Sequence, residues 1–315
     1  MTTSDSHAAR PARPFGAVGT ALVTPFTADG EAVDLDAAQA LAEHAVSRGN
    51  DLVVVAGTTG ESPTLSDHER LDLARAVLDA VGEKATVVAG AGTYDTRHSI
   101  ELARAHADLG VHGLLVVTPY YSKPSQQGAR AHLEAVADAT DLPVMLYDIP
   151  GRTGLPLAKD TLLRLAEHPR IAAVKDAKSD LHEATEVMAA TGIAYYSGED
   201  ALNLPWLAIG AAGIVSVVSQ VAPELDAALV RAVDRSDLDA AREIHRALAP
   251  LVSAIMTRMP GAVAAKAALM LQGVLPHAVV RAPHAPADAD HVQMLARAID
   301  DADGITPVHA SRRTL

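Results

Sequence analysis

The sequence predicts an α/β fold, a closed (β/α)8 TIM barrel with a helical appendage at its carboxyl end. Eight short apolar runs rich in β-branched residues alternate with segments of helical periodicity, as in parallel strands joined by crossover helices. Eight such units within about 220 residues are the number that closes a barrel. An open doubly wound sheet is the alternative, but its dinucleotide-binding fingerprint is incomplete, because no third glycine follows Gly90-Ala91-Gly92 at the required spacing.

The predicted strands are short and apolar throughout, which is typical of strands buried on both faces of a parallel sheet. Each is followed by polar or glycine-containing punctuation, where the chain is expected to turn into the next helix. The predicted strands are 18–23, 52–56, 86–89, 113–117, 144–147, 171–174, 194–197 and 213–218.

Helical periodicity occupies the segments between strands and continues alone beyond Ser236. We therefore predict a disordered leader at 1–14, a catalytic barrel at 15–235, a helical region at 236–303 and a flexible tail at 304–315. The segment 260–273 carries small and apolar residues on most faces, which indicates burial against the barrel or another subunit. The clearest predicted helices are 36–48, 66–81, 96–109, 127–140, 158–168, 237–256, 261–273 and 288–301.

The composition predicts a soluble globular protein and excludes several classes of function. Of the 315 residues 49% are hydrophobic, enough for a sizeable core. A net charge of −13 without a basic stripe argues against a nucleic-acid partner. The most apolar stretch, 204–218, is interrupted by Pro205 and by glycines and is too short to span a membrane. The absence of cysteine excludes disulfides and thiolate metal sites, and a cytoplasmic location is the default expectation.

Residues that often bind metals have simpler explanations in this sequence. The fourteen histidines lack the paired spacing of a zinc-binding helix. Several of them lie within predicted helices, and three acidic residues near the first helix have the positions of turn and capping groups. No metal site is predicted. These residues are His44, His106 and His132, and Asp29, Asp34 and Asp36.

The most informative residue is Lys175, at the carboxyl end of the sixth predicted strand. A charged amine is costly in such a strand unless it has partners or a chemical role. Burial lowers the pKa of a lysine, and a neutral amine forms Schiff bases with carbonyl compounds. A lysine whose ammonium group reaches solvent is the simpler explanation, and it is the better one for this segment taken alone.

Polar motifs follow other predicted strands as well, at the end of a barrel where active sites lie. After the second strand, the glycines and hydroxyls of Gly57-Thr58-Thr59-Gly60 could hold a carboxylate, although an ordinary turn explains them equally well. After the fourth strand, Tyr120 and Tyr121 offer phenols for proton transfer or side chains for surface packing.

Tyr147 and Arg152 come together after the fifth predicted strand. The guanidinium group of an arginine suits a carboxylate, although a surface ion pair is an equally good explanation of Arg152 alone. The seventh and eighth strands end in the segments 197–200 and 213–216, which combine hydroxyl groups, glycines and, in the first, two acids.

Together these motifs resemble those of the dihydrodipicolinate synthases, members of the pyruvate-dependent class I aldolase superfamily that includes N-acetylneuraminate lyase. The resemblance covers about residues 15–300 and rests on the order and spacing of 57–61, 120–121, 147–154 and 174–176. It implies a lyase that condenses pyruvate with L-aspartate 4-semialdehyde to 4-hydroxy-tetrahydrodipicolinate, toward diaminopimelate and lysine. It also implies a homotetramer assembled as a dimer of dimers.

The resemblance assigns catalytic roles residue by residue. Lys175 corresponds to the lysine that forms the Schiff base with pyruvate, so no separate cofactor is expected. Tyr147 corresponds to the proton donor and acceptor. Thr58 and Tyr121 correspond to the rest of a proton relay, in which the neighbouring subunit supplies the tyrosine.

The resemblance also assigns substrate contacts. Thr59, Val215 and Gly198 correspond to positions on the pyruvate side of the site, and Arg152 corresponds to the group that receives the carboxylate of the semialdehyde. Many synthases have Asn and Ser where this sequence has Asp148 and Gly151.

Other enzymes of the superfamily keep the lysine and the tyrosine but act on sugar acids or other 2-oxo acids. A sister aldolase, lyase or dehydratase is therefore the alternative function. Thr59, Tyr121 and Arg152 match the synthase pattern and favour the synthase. A barrel retained only for binding or regulation would be expected to lack Lys175 or the relay.

The resemblance further implies weak or absent feedback inhibition by lysine. Lysine-inhibited synthases bind lysine with histidines just after the Gly-Thr-Thr-Gly-Glu motif and with an Asn and a Glu at the start of the helix after the third strand. The corresponding positions hold Asp67, Arg70, Tyr94 and His98, whereas Tyr120 is kept.

Overall fold

The computed structural model describes residues 12–303, and eight parallel strands within it close into a barrel. Each strand pairs with the next in chain order, and the first pairs with the eighth. This closed barrel confirms the predicted fold class and excludes the open sheet. The strands are β1 (Val18–Ala21), β2 (Leu52–Val55), β3 (Thr86–Gly90), β4 (Gly113–Val117), β5 (Val144–Asp148), β6 (Ile171–Asp176), β7 (Ala194–Ser197) and β8 (Gly213–Ser216).

Helices connect the strands around the outside of the barrel and continue after the last strand. Their bounds agree with the predicted helices to within a few residues, and α7, α8 and α9 complete the alternation where the sequence analysis assigned no bounds. The helices are α1 (Leu35–Ser47), α2 (Asp67–Val81), α3 (Thr96–Leu109), α4 (Gln126–Ala137), α5 (Pro150–Thr153), α6 (Lys159–Leu165), α7 (Leu181–Thr191), α8 (Asn203–Ala208), α9 (Pro223–Asp234), α10 (Leu238–Met256), α11 (Gly261–Leu271) and α12 (Ala289–Asp303).

Local sequence signals set the helix ends. Helix α2 begins with a capping box, in which Ser66 accepts from the backbone N–H of Glu69 and the Glu69 side chain accepts from the backbone N–H of Ser66. Helix α3 begins after the capping residue Asp95 and ends at Gly110, which has a φ of 84°. Because a left-handed residue stops a helix at little cost only when it is glycine, this end could be predicted to the residue.

Two strand ends differ from the prediction in a way that affects the site. Strand β6 continues through Lys175 and Asp176, and β5 continues through Asp148. The predicted ends at 174 and 147 were wrong because the pattern of apolar residues stops where the first polar side chain appears, whereas the ladder of backbone hydrogen bonds continues.

The interior of the barrel is filled by side chains that alternate along the strands with outward-facing ones. Phe15, fully buried, lies before β1 and meets the Tyr196 ring edge to face, with ring centroids 6.4 Å apart. The Tyr196 hydroxyl donates to the Gly16 carbonyl over 2.9 Å and accepts from the Phe15 N–H over 3.3 Å. These two aromatic residues close the amino-terminal end of the barrel, which leaves the carboxyl end for the site.

The chain before β1 is attached to the barrel. The Arg13 guanidinium donates to both carboxylate oxygens of Asp234, over 2.9 and 2.6 Å, and to the Ala212 carbonyl over 2.8 Å. The attached part of the chain therefore includes Arg13, which lies within the predicted leader at 1–14. Residues 1–11 and 304–315, which include most of the predicted leader and the predicted tail, lie outside the described residues.

The carboxyl-terminal helices pack on the barrel and on one another. Helix α10 contacts α9 and α12, and residues 261–269 of α11 are buried within the chain itself. Among the described helices, no single one is long and apolar enough to span a membrane; α10 and α11 meet that criterion only as a pair bent by 115°.

Candidate functional site

Lys175 and Tyr147 form the centre of the candidate site. They are paired across β6 and β5 at the carboxyl end of the barrel, and both are buried. The Lys175 Nζ lies 4.3 Å from the centre of the Tyr147 ring. The solvent-exposed lysine that the segment alone favoured is therefore wrong: only 3% of Lys175 is exposed.

Burial makes the Lys175 amine reactive. Removal from water lowers the pKa of Lys175 to about 8, with the nearby Arg152 acting in the same direction and Asp200 and Glu199 opposing it. An appreciable fraction of the amine is then neutral near neutral pH, which is the form that attacks carbonyl groups.

Tyr147 keeps its proton. Burial raises the pKa of the phenol well above its usual range, although the positive charge of Arg152 opposes the shift. A phenol that stays protonated at neutral pH can donate a proton to an oxygen that gains negative charge next to Lys175.

Gly198 leaves space for the Lys175 side chain. Its N–H donates to the Asp176 carbonyl over 2.7 Å at the end of β7. A Cβ at this position would lie 3.0 Å from Cγ and 3.1 Å from Cε of Lys175, closer than nearly all real contacts. Any side chain at position 198 would therefore displace the amine or the strand end.

The threonine loop, defined as residues 57–62, follows β2 at the same end of the barrel. Backbone bonds from the Glu61 N–H to the Thr58 carbonyl (3.1 Å) and from the Ser62 N–H to the Gly57 carbonyl (3.2 Å) close it. Thr58 and Thr59 are half-buried, so their polar groups are accessible to a small ligand. Val215 lies on β8, which only β1 separates from β2, and it is buried in the barrel interior, where it can shape the pocket floor.

Arg152 and Tyr121, the two remaining predicted site residues, are exposed in the single chain. Arg152 lies on α5, directly after β5, where its side chain is exposed and makes no ion pair with the described residues. Tyr121 is 91% exposed on a loop where its own φ is 68° and that of Lys123 is 46°. The single chain thus brings Lys175, Tyr147 and Gly198 together, and it does not bury Tyr121 in its own site.

An acidic cluster behind β8 was missed by the sequence analysis. The buried Asp200 carboxylate accepts from the Ser216 hydroxyl and from the Val217 N–H, the latter over 3.1 Å. The same hydroxyl lies 3.1 Å from Asp226, whose pKa burial raises to about 8, with the Asp200 charge acting in the same direction. A protonated Asp226 can therefore donate to Ser216 while Ser216 donates to Asp200. The position of Asp200 directly after the seventh predicted strand could have marked it as a site residue, whereas nothing in the sequence marked Asp226 on α9.

A second acidic cluster lies on the outer face of β5 and β6, one residue beyond the central pair. Asp148 and Asp176 are register partners there. The Lys178 amine lies 3.5 Å from Asp148 and donates to Glu183 over 2.7 Å, while Asp176 accepts from the Lys178 N–H over 2.8 Å. Burial raises the pKa of both aspartates, that of Asp148 to about 7, and the neighbouring Lys178 charge offsets only part of the shift. This cluster holds the ends of the two strands that carry Tyr147 and Lys175.

Comparisons with known proteins agree on one family. The model of the dihydrodipicolinate synthetase family matches residues 14–302. A protein of Kineococcus radiotolerans named 4-hydroxy-tetrahydrodipicolinate synthase is 61% identical over 289 residues, which cover 92% of this chain and 94% of that protein.

Solved structures of the same family have the same fold. The structure of a DHDPS from Cyanidioschyzon merolae with lysine bound superposes with a TM-score of 0.90 at 42% identity, covering 93% of this chain and 100% of that one. A chloride-inhibited dihydrodipicolinate synthase from Acinetobacter baumannii, complexed with pyruvate, superposes with a TM-score of 0.87 at 34% identity, covering 92% and 99%.

The buried Asp148 carboxyl makes the free energy of unfolding depend on pH. The pKa of Asp148 is about 7 in the folded protein and 3.8 in the unfolded chain. Between these two pH values the folded protein holds a proton that the unfolded chain has released. The contribution of this proton to stability is therefore complete below pH 3.8 and is lost as the pH rises to 7. The side chain of Asp148→Asn cannot ionise. As the pH rises from 3.8 to 7, the free energy of unfolding of this variant should therefore increase relative to that of the parent by about 1 to 4 kcal/mol. Urea-unfolding midpoints of both proteins at pH 5 and pH 8 measure the gain.

The matched control for this prediction is Asp239→Asn, at a side chain that is 95% exposed. Its stability difference from the parent should not change between the two pH values. A difference between Asp148→Asn and the parent that is equally constant would show that Asp148 does not carry the proton.

Proposed function

The chain belongs to the dihydrodipicolinate synthetase family, and from this premise we propose how its side chains perform the family's reaction. The enzyme is a lyase that condenses pyruvate with L-aspartate 4-semialdehyde to 4-hydroxy-tetrahydrodipicolinate, in the biosynthesis of diaminopimelate and lysine. The observation that carries the assignment of roles is the buried Lys175 amine, with its lowered pKa and its contact with the Tyr147 ring.

Lys175 is the nucleophile in this proposal. Its neutral amine attacks the C2 carbonyl of pyruvate, and the carbonyl oxygen leaves as water after proton transfer, so that a C=N bond replaces the C=O bond. Tyr147 donates the proton that the departing oxygen requires. The protonated imine then withdraws electrons from the pyruvate methyl group, and this covalent imine makes a separate cofactor unnecessary.

The carbon–carbon bond forms from the enamine. Loss of a methyl proton to a base gives the enamine, whose terminal carbon attacks the aldehyde carbon of the semialdehyde, and the aldehyde oxygen takes up a proton. We assign proton transfer to Tyr147 and Thr58, together with Tyr121 of a neighbouring subunit. Cyclisation then releases the product from Lys175.

Substrate binding is assigned to the surroundings of the amine. Thr59 contacts the pyruvate carboxylate with its hydroxyl and backbone N–H, while Val215 and Gly198 set the width of the pocket. Arg152, exposed and without an ion pair among the described residues, receives the carboxylate of the semialdehyde. We also propose, from the family resemblance, that the chain assembles as a homotetramer made of two tight dimers, in which the exposed Tyr121 is available to another chain's site.

The Schiff base can be trapped. Borohydride added with pyruvate should leave one reduced adduct per chain, on Lys175, and it should form faster as the pH approaches 8 because the neutral fraction of the amine rises. Lys175→Ala and Lys175→Arg should lose the adduct and the activity, the second because a guanidinium does not deprotonate. Peptide mass mapping gives the site, and Lys159→Arg, at a half-buried lysine paired with Glu186, is the control that should behave as the parent. An adduct of equal yield on Lys175→Ala would refute the mechanism.

The proposed sharing of Tyr121 is testable by mixing variants. Tyr121→Phe should reduce activity by about 10² to 10⁴, and Lys175→Ala should abolish it. If the subunits are reassembled together, hybrid dimers contain one site with both native residues, so roughly a quarter of the parental activity should return for statistical mixing of a twofold dimer. A mixture of Tyr147→Phe with Lys175→Ala is the control, since these residues lie in one chain and no hybrid site has both. Verified hybrids of the first mixture without activity would place Tyr121 outside the neighbouring site.

The positions that correspond to the lysine-binding residues of inhibited synthases are occupied by other contacts. The Asp67 carboxylate lies 2.9 Å from the His98 ring nitrogen. The buried Arg70 donates to the Ser62 carbonyl over 2.7 Å, and the Tyr94 ring packs edge to face on Tyr120 at 5.3 Å. An arginine here repels the ammonium groups of lysine, and the Asp67 carboxylate already has a partner in His98.

We therefore expect lysine to inhibit weakly or not at all. A ligand that binds active and inhibited states equally cannot shift the enzyme between them. Initial rates at saturating and sub-saturating pyruvate, with lysine raised into the millimolar range, measure the effect, and the Cyanidioschyzon merolae protein is the positive control for lysine binding. Clear, saturable inhibition would contradict this interpretation of the surface.

A further inference from the structure

We propose that Glu61, held by Lys266 and Arg281 of the carboxyl-terminal region, is a positioning residue that fixes Thr58 and Thr59 in the site. The inference rests on the proposed function only for the roles of the two threonines. The contact itself joins residues about two hundred positions apart, and nothing in the proposed chemistry requires it.

Glu61, the residue before the last of the threonine loop, has an unfavourable backbone conformation. Its φ is 54°, in the left-handed region that costs a non-glycine residue free energy unless its surroundings impose it. Its N–H donates to the Thr58 carbonyl, and the Gly60 carbonyl just before it accepts from the Thr24 hydroxyl over 2.6 Å. The position of Glu61 therefore determines where Thr58 and Thr59 lie.

The Glu61 carboxylate is fully buried, and both of its oxygens are bound by the carboxyl-terminal region. One accepts from the Lys266 amine, whose side chain is also fully buried, and the other accepts from the Arg281 backbone N–H over 3.0 Å. The loop is thus attached to α11 and to the segment after it, in addition to its own strand.

The surroundings of Lys266 favour its contact with Glu61. It is the one charged residue of α11, whose other side chains are small or apolar. Its amine also donates to the Val279 carbonyl over 2.8 Å and lies 4.0 Å from the centre of the Phe26 ring. Burial lowers the pKa of Lys266 to about 8, and the Glu61 charge opposes this shift. A buried amine with this set of partners would be replaced by an apolar residue at little cost if packing were its sole role.

Arg281 extends the attachment to the residues that follow the threonine loop. Its guanidinium lies 4.3 Å from the Phe26 ring, donates to the Thr64 carbonyl over 3.1 Å and pairs with Glu69 over 2.6 Å. The loop and the start of α2 are therefore held by one residue of the carboxyl-terminal region.

A positioning role and a purely structural role predict different behaviour when both charges are removed together. Glu61→Gln combined with Lys266→Met leaves no unpaired buried charge, so thermal stability should stay close to that of the parent. If Glu61 positions the threonines, kcat/KM should nevertheless fall about a hundredfold, since a misplacement of about 1 Å has that effect. Borohydride with saturating pyruvate should still label Lys175, because the amine itself is untouched.

Amide hydrogen exchange of peptides covering residues 57–62, followed by mass spectrometry, tests the positioning without any catalytic assay. The double variant should exchange at least about tenfold faster there than the parent, because the carboxylate contacts no longer restrain the loop. Glu69→Gln is the matched control: it removes the other charged partner of Arg281, and a glutamine still completes the capping box of α2. It should keep parental kinetics and parental exchange.

Parental exchange and parental kinetics in a double variant of unchanged thermal stability would overturn the proposal. If the double variant does not fold, Glu61→Gln alone, which keeps the side-chain shape, decides the question by the same two measurements. If the parent protein itself gives no adduct with pyruvate, the proposed function fails, and the exchange experiment still decides whether Glu61 positions the loop.

Discussion

The burial of one amine, that of Lys175, is the constraint around which the carboxyl end of the barrel is organised. An ammonium group loses its hydration there, and the loss lowers the pKa of Lys175 to about 8 instead of leaving it fully charged. The Tyr147 ring covers one side of the amine, and Gly198 leaves the space that any other residue would fill. Asp200 and Glu199 limit the shift, so both the charged and the neutral forms are accessible near neutral pH.

The strands that carry this pair are held from behind by buried acids. Asp176 binds the backbone just after β6 and Asp200 the backbone just after β8, whereas Asp148 accepts from the N–H of Leu157, beyond α5. Buried carboxyl groups with raised pKa values do not maximise stability. Asp176 and Asp200 do satisfy backbone N–H groups at strand ends, where parallel strands leave donors unpaired, and this fixes the side chains that precede them.

The helical region after the barrel forms part of the support of the site. Glu61 reaches away from the threonine loop and ends between Lys266 and Arg281, with Phe26 packed against both cations. In the proposed function the barrel supplies the nucleophile and the proton donor, while the carboxyl-terminal region binds Glu61 of the threonine loop. Support from two parts of the chain gives a small polar pocket the rigidity that precise positioning needs.

The sequence by itself determined the eight-stranded barrel, most helix ends and the candidate residues at the strand ends, because periodicity, caps and glycines act over a few neighbouring positions. The family resemblance added the roles expected of Thr58, Thr59, Tyr121 and Arg152. Only the tertiary structure decided that Lys175 is buried, that Asp200 meets Asp226, and that Glu61 meets Lys266. A sequence pattern reports which face of its own element a residue occupies; whether a charge on that face meets water, a partner or an aromatic ring depends on elements distant in the chain.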